Sequence, residues 1–471
     1  MADLNAQPGA GTTTGPGAAP TRELWGSRAG FILAAVGSAV GLGNMWRFPY
    51  ATAEGGGAAF VLLYIIFTFA VGVPVLLAEM SIGRSTRLSP IGALRASGGR
   101  TWSFVGWVFV AAGLLILSYY AVIAGWVIRY MLEGLISGFP ADAAAYFGQA
   151  TSGVQPVIYH LVFMVLTITI VMGGVEKGIE RASLIMMPTL FVVVLGLAVW
   201  AFTLPGSGEG YAYYLTPSLD EMMQLDTLAA AAGQAFFSLS LGMGAMLTFA
   251  SYLGRKENLP REGVTIALSD FGVAFLAGLL VFPIIFALGL QDSVSDSTVG
   301  ALFISLPNGF LEMGALGRWI GSLFFIALFV GALTSAISLL EVVTSSMIDE
   351  FRMPRKRAAI TAGGVITVLG ILPAMNINVL GAMDAIASEV LLPLGGLALA
   401  VFVGWKLKDP TAEIRQGMSP GMEKWLGPWL AVLRYLVPIA LVVVLTQTVP
   451  TGWAALMAVF GEAGGGMRDE G

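Results

Sequence analysis

Residues 37–50 read GSAVGLGNMWRFPY and residues 233–252 read GQAFFSLSLGMGAMLTFASY. In both, glycines, hydroxyls and amides interrupt a run that is otherwise apolar enough for a bilayer. The glycines, and Pro49 in the first run, weaken a helix, and backbone released from a helical ladder has chemistry of its own. Free N–H groups at a helix start take an anion, and free carbonyls take a hard cation. At membrane depth such backbone survives only when buried in protein or lining a cavity. The plain alternative is a glycine-rich packing face. It loses ground because the pattern occurs twice, as AVGLG at 39–43 and SLGMG at 240–244. Asn44, Arg47, Ser238 and Asp270 add polar groups to apolar runs, and an ionisable residue at that depth is a functional candidate by default.

The elements that must position these groups are membrane helices. The chain has 471 residues, is 56% hydrophobic and 11% charged, and has a mean hydropathy of +0.82, values of a polytopic membrane protein. Runs of about 20 apolar residues, enough to cross the hydrocarbon core, fall near 29–50, 57–80, 102–132, 156–173, 182–204, 228–253, 264–290, 318–348, 358–373, 383–405 and 428–449. Eleven spans are predicted. Lys and Arg gather after every second span, beginning with Arg84, Arg87, Arg95 and Arg100, whereas residues 205–227 contain none. The positive-inside rule therefore places the N-terminus in the cytoplasm and the C-terminus outside. Residues 1–21 are expected to be a disordered cytoplasmic tail without signal-peptide features, and 450–471 a short extracytoplasmic tail.

Several functions are excluded on composition. With no Cys, thiol catalysis, disulfides and thiolate metal sites are absent. The single His, His160, is expected at the membrane interface rather than in a metal site or triad. A net charge of −5 segregated by side gives no support for nucleic-acid binding. No GxxxxGK[ST] or HExxH stretch exists, so ATP-driven and zinc-hydrolase readings have no basis.

Two breaks five spans apart, at matching places, point to inverted repeats with binding at the breaks. WGSR (25–28), GSAVGLGNMWRFPY, SYYAVIAGW (118–126), FFSLSLGMG (236–244) and GALTSAIS (331–338) together resemble the neurotransmitter:sodium symporters over residues 22–449. The SLGMG form is most similar to the family's bacterial multi-hydrophobic amino acid transporters. The resemblance implies an all-α polytopic membrane protein with the leucine-transporter fold: a 5+5 inverted repeat, helices 1 and 6 broken, and 11 transmembrane helices. Residues 22–204 would be the first repeat, 205–406 the second, and 407–449 the last loop and span. It implies a secondary active symporter, not an enzyme, importing hydrophobic amino acids with two sodium ions by alternating access. A sodium-dependent sensor that binds without accumulating substrate is the alternative.

Site residues carry over in the same way. The first sodium ion is expected at the Ala39 carbonyl, Asn44, Ser238 and Asp270, with the substrate carboxylate completing the shell. The second is expected at the carbonyls of Gly37, Val40 and Gly331 with the hydroxyls of Thr334 and Ser335. Those two hydroxyls also have a plainer reading, bonding back to the preceding turn. Asp270 stands where animal members carry Asn. Tyr64, Gln234 and Ser238 match their chloride ligands, but Ala274 replaces a serine, so chloride independence is expected. A one-residue slip would exchange Ser269 for Asp270. Protonation of Asp270 on the return step, carrying a proton outward, is a further expectation.

For the substrate, the N–H groups of Leu42 and Gly43 and the Tyr120 hydroxyl resemble the carboxylate clamp. Carbonyls near Ala39 and Phe237, with Ser240, would take the ammonium. Ile116, Phe237, Met243, Ser335 and Leu339 would form the side-chain walls. Gly41 replaces the acid that pairs with a monoamine, which favours amino acids. Arg47 and Asp384 resemble an outer gate with Phe237 as lid; Arg22 and Asp349, with Trp25 and Tyr252, resemble a cytoplasmic gate. Glu79 is expected to be structural, hydrogen-bonded near the first span. The absence of Cys and of glycosylation sites fits a bacterial plasma membrane, and oligomeric state is left open.

Overall fold

The computed structural model describes residues 22–290 and 300–465. The expectation for residues 1–21 lies outside the described residues. Among those described, every regular element is helical, as expected where backbone polar groups must pair within the segment.

Nine helical runs are long and apolar enough to cross a membrane, from Ala58–Thr86 to Met422–Pro450. A tenth crossing is the pair Arg28–Ala39 and Gly43–Glu54, bent by 46°. The eleventh is the pair Leu225–Ser238 and Ala245–Ala250, each piece too short to cross alone. These are the eleven spans read from the sequence, and the first and sixth are the broken ones. The last helix runs from Val437 to Gly465, so the chain stays helical beyond the expected end at 449.

Span three (Arg100–Ile136) and span eight (Gly314–Phe351) are the centre: 78% and 83% of their apolar windows are buried, against 33% for spans four and five and 28% for span eleven. The broken spans lean on this centre. His160 is held by the protein rather than left exposed. It is fully buried, with Nε2 3.0 Å from the Thr367 carbonyl, and Gly370 leaves the space its ring fills: a Cβ there would lie 2.6 Å from Nε2. It is a packed helix-to-helix contact between spans four and nine.

Candidate functional site

Each break follows from local sequence. The first helix ends at Ala39, and Val40 is extended (φ −76°, ψ 109°). The chain restarts through a wider π-helical turn, Gly43–Arg47, and Pro49 sits in the first turn of the helix that follows. In span six the helix ends at Ser238, and Ser240, Gly242 and Gly244 adopt φ of +54°, +78° and +73° before Ala245 restarts it. Gly242 has no alternative: besides its left-handed backbone, a Cβ would lie 2.2 Å from the Leu392 carbonyl oxygen. Ser240 carries the cost of a left-handed non-glycine residue, of order 1–2 kcal/mol, offset by its hydroxyl donating to the Ser38 carbonyl at 2.8 Å.

The freed N–H groups find partners, as burial requires. Gly41 N–H donates to Asn44 Oδ1 (3.2 Å) and Leu42 N–H to the Tyr120 oxygen (3.2 Å). Glu79, fully buried on span two, accepts from Gly242 N–H (2.9 Å) and Leu247 N–H (3.3 Å). Its carboxylate thus holds the second break, in span six, which corrects the expected placement beside the first span.

Asp270 is fully buried. Asn44 Nδ2 donates to Oδ1 at 2.7 Å, Ser238 Oγ to Oδ2 at 2.7 Å and Tyr64 Oη to Oδ2 at 3.2 Å. Gln234 stands beside them, its Nε2 donating to the Gly43 carbonyl at 3.1 Å. Ser269 is only half-buried, whereas Asp270 faces the Asn44, Ser238 and Tyr64 cluster. A carboxylate, an amide and hydroxyls on spans one, two, six and seven converge here, the hard-oxygen donor set that a desolvated monovalent cation needs.

Across the first break, Ser335 Oγ reaches the carbonyls of Gly37, Ser38 and Val40 at 3.3, 3.4 and 3.3 Å. Thr334 instead donates to Gly331 O at 2.9 Å and Val330 O at 3.2 Å. The Thr–Ser pair therefore divides: Thr334 takes the back-bonded geometry, while Ser335 bridges spans one and eight. Gly37 adjoins Thr334, since a Cβ at 37 would lie 3.0 Å from the threonine Cβ.

Between the breaks lies a small cavity of about 30 Å³ lined by Ala39, Gly43, Ile116, Tyr120, Phe237, Ser240, Met243, Ser335 and Leu339, together with Ser38 and Gly41. Leu42 contributes through its N–H on Tyr120 rather than as lining. Ser38 was not anticipated. It ties the site to span eight, its hydroxyl donating to Ser338 at 2.8 Å, and its only sequence signal is a hydroxyl one residue before the helix ends at Ala39.

The two ends differ. At the Lys/Arg-rich end, Arg22 donates to both Asp349 oxygens (2.7 and 2.6 Å) and to Ser251 (2.7 Å), with its guanidinium 4.6 Å from the Tyr252 ring. Trp25 stacks edge-on against Tyr252 and Phe249 and donates to the Phe249 carbonyl at 2.9 Å. At the other end Arg47 lies 4.6 Å from the Phe237 ring. Asp384 accepts from Tyr119 at 2.8 Å and Ser388 at 2.7 Å, and no ion pair joins it to Arg47 among the described residues. The expected outer pair is thus replaced by a cation over an aromatic lid and a separately satisfied acid: Tyr119 and Ser388 supply hydroxyls to Asp384 at shorter range than Arg47 reaches.

Two broken helices facing each other across a small cavity, within a bundle of helices apolar and long enough to cross a membrane, are the architecture of a membrane transporter. Residues 22–151 and 148–454 match the sodium:neurotransmitter symporter family. The chain is 36% identical over 443 residues to an uncharacterised sodium-dependent transporter of Bacillus subtilis, YhdH, covering 89% of this chain and 96% of that one. It is 34% identical to another of Methanocaldococcus jannaschii, covering 91% and 90%. The solved structure of MhsT in complex with L-phenylalanine matches with a TM-score of 0.83 and 41% identity, covering 91% of this chain and all of that one. The chain belongs to the sodium:neurotransmitter symporter family: it is a sodium-dependent, multi-pass membrane transporter, not an enzyme, with the leucine-transporter fold.

Proposed function

We propose that the protein imports hydrophobic L-amino acids, aliphatic and aromatic, by symport with two sodium ions and without chloride, across a bacterial plasma membrane with its N-terminus inside. The observation that carries this reading is the chemistry of the cavity between the breaks. Its outer walls, Ile116, Phe237, Met243 and Leu339, are apolar. Gly41 places no acid there, and a Cβ at that position would lie 2.3 Å from Ser335 Oγ and 2.9 Å from Tyr120 Oη. A monoamine would bring an unbalanced charge, whereas an amino acid brings its own carboxylate. Leu42 N–H and the Tyr120 hydroxyl already meet at 3.2 Å, so both donors of the carboxylate clamp stand together at the cavity wall. At about 30 Å³ the cavity admits a phenylalanine-sized side chain only as its walls shift, a task suited to unbranched Met243. MhsT, whose structure holds L-phenylalanine, supports the substrate class.

In this reading the first sodium ion takes the Ala39 carbonyl, Asn44, Ser238, Asp270 and the substrate carboxylate, so each ligand completes the other's site. The second takes Gly37, Val40, Gly331, Thr334 and Ser335. Asp270 supplies the negative charge that chloride supplies elsewhere. Arg22 and Asp349 close the cytoplasmic side while Arg47, Phe237 and Asp384 control the outer one. Two charges moving through 100 mV give about 4.6 kcal/mol, and tenfold sodium gradients add about 2.8 kcal/mol. The sum of roughly 7 kcal/mol sustains about 10⁵-fold accumulation of a neutral solute.

The test is uptake of labelled phenylalanine into proteoliposomes, with sodium replaced by choline and chloride by gluconate in turn. Accumulation that needs sodium and ignores chloride is expected. Binding without accumulation would identify a sensor and end the proposal.

A further inference from the structure

A second cavity, of about 160 Å³, opens at the Lys/Arg-rich end among spans three, eight and nine, away from the breaks, with Trp107, Val110, Leu114, Met347, Phe351 and Val365 in its walls. An apolar cavity of this size admits a benzene-sized hydrocarbon and stays dry. Its one polar lining residue, Ser346, is already satisfied, donating to the Val342 carbonyl at 2.8 Å. Water and polar solutes therefore gain nothing by entering. The groove is open sideways: Trp107, Phe351 and Val365 are 47%, 62% and 47% exposed. From Trp107 to Leu114 the wall is two helical turns, about 10 Å long.

The charges beside the groove that lack a partner of opposite sign among the described residues are basic. Arg352 follows Phe351 directly, in a left-handed cap (φ +53°) that ends span eight. Arg100 lies two turns before Trp107 on the same helical run. Both are exposed, and neither has an acidic partner among the described residues. The nearby acids are committed elsewhere: Asp349 pairs with Arg22 and Glu350 with Arg95, each at 2.6 Å. Lys356 and Arg357, exposed in the first turn of span nine, add to the same field.

We propose that this groove holds one acyl chain of an anionic phospholipid, whose phosphate sits between Arg100 and Arg352. The lipid belongs to the leaflet at the basic end, and the assignment does not depend on which solute is transported. Its wall includes Met347 and Phe351, which flank the gate residue Asp349 on span eight, the helix that also carries Ser335 and Leu339. A bound chain fills the space beside that helix and braces it.

The experiment uses the full-length protein in nanodiscs, with spin-labelled phosphatidylglycerol and phosphatidylcholine as probes. Wild-type protein is expected to prefer phosphatidylglycerol by roughly tenfold or more, the scale of two cations acting on one lipid charge. The double variant Arg100→Gln/Arg352→Gln should bring the two lipids within about twofold while leaving the phosphatidylcholine signal intact. Ala362→Phe, and separately Val365→Trp, should reduce the immobilised signal of both lipids by filling the groove. Monodisperse elution of each variant on gel filtration reports that the fold is kept. Equal binding of the two lipids by the wild type overturns the proposal. So does selectivity that survives the double variant, or an immobilised signal untouched by both filling variants in protein that elutes as a single monodisperse species.

Discussion

Replacing Asp270 by Asn tests the central electrostatic claim. The substitution keeps shape and one acceptor: the amide oxygen can receive Asn44 Nδ2, which donates at 2.7 Å, and the new NH₂ can donate to the Ser238 and Tyr64 hydroxyls, which can rotate to accept. The fold should survive, since the main change is the loss of one charge. Two unit charges about 4 Å apart attract by about 4 kcal/mol at an effective dielectric of 20. Local dipoles replace part of that, so a loss of about 2–4 kcal/mol is expected, or roughly 30- to 700-fold in sodium affinity. Sodium titration of phenylalanine uptake in proteoliposomes, in gluconate and then in chloride, reads the effect directly. In gluconate the half-saturating sodium concentration should rise by that factor. Chloride should recover part of it, because the Tyr64 and Ser238 hydroxyls, which donate to Asp270 Oδ2 in the wild type, can turn back to donate to an anion held there. Any proton counterflow of the wild type should vanish. An unchanged sodium requirement in gluconate would refute the assignment of Asp270 to the ion.

Gly41→Ala places a methyl 2.3 Å from Ser335 Oγ; uptake should fall at least tenfold while the protein remains monodisperse on gel filtration. Met243→Val exchanges a flexible wall for a β-branched one, so competition assays should show phenylalanine and tryptophan weakened several-fold more than valine. Arg22→Ala breaks the bidentate pair with Asp349. Because the chain has no Cys, Ser338→Cys provides a single thiol near the cavity, and its labelling from the basic side should speed up several-fold in the Arg22→Ala background; an unchanged rate would mean the pair does not gate.

Much of the site was legible in residues close along the chain. Glycine, proline and a left-handed hydroxyl residue decide locally that a helix stops at Ala39 and again at Ser238, because the cost lies in each residue's own backbone. The helical repeat likewise brings GALTS to one stretch of span eight. Contacts across helices were less legible. Arg22 and Asp349 met as the motif implied, whereas Arg47 chose the Phe237 ring and Asp384 chose Tyr119 and Ser388. Nothing in LLAEMSIGR says which break Glu79 will serve.

Eleven apolar runs, their charge asymmetry and two interruptions were determined by the amino-acid order alone, since hydrophobic transfer and backbone hydrogen bonding act on neighbouring residues. Which hydroxyl bridges to which carbonyl across some 300 residues, as Ser335 does to Gly37, was decided only by the packing of spans one, six and eight. The tilt and depth of a helix are collective properties of all its contacts, and a shift of one or two ångströms exchanges one hydrogen-bond partner for another.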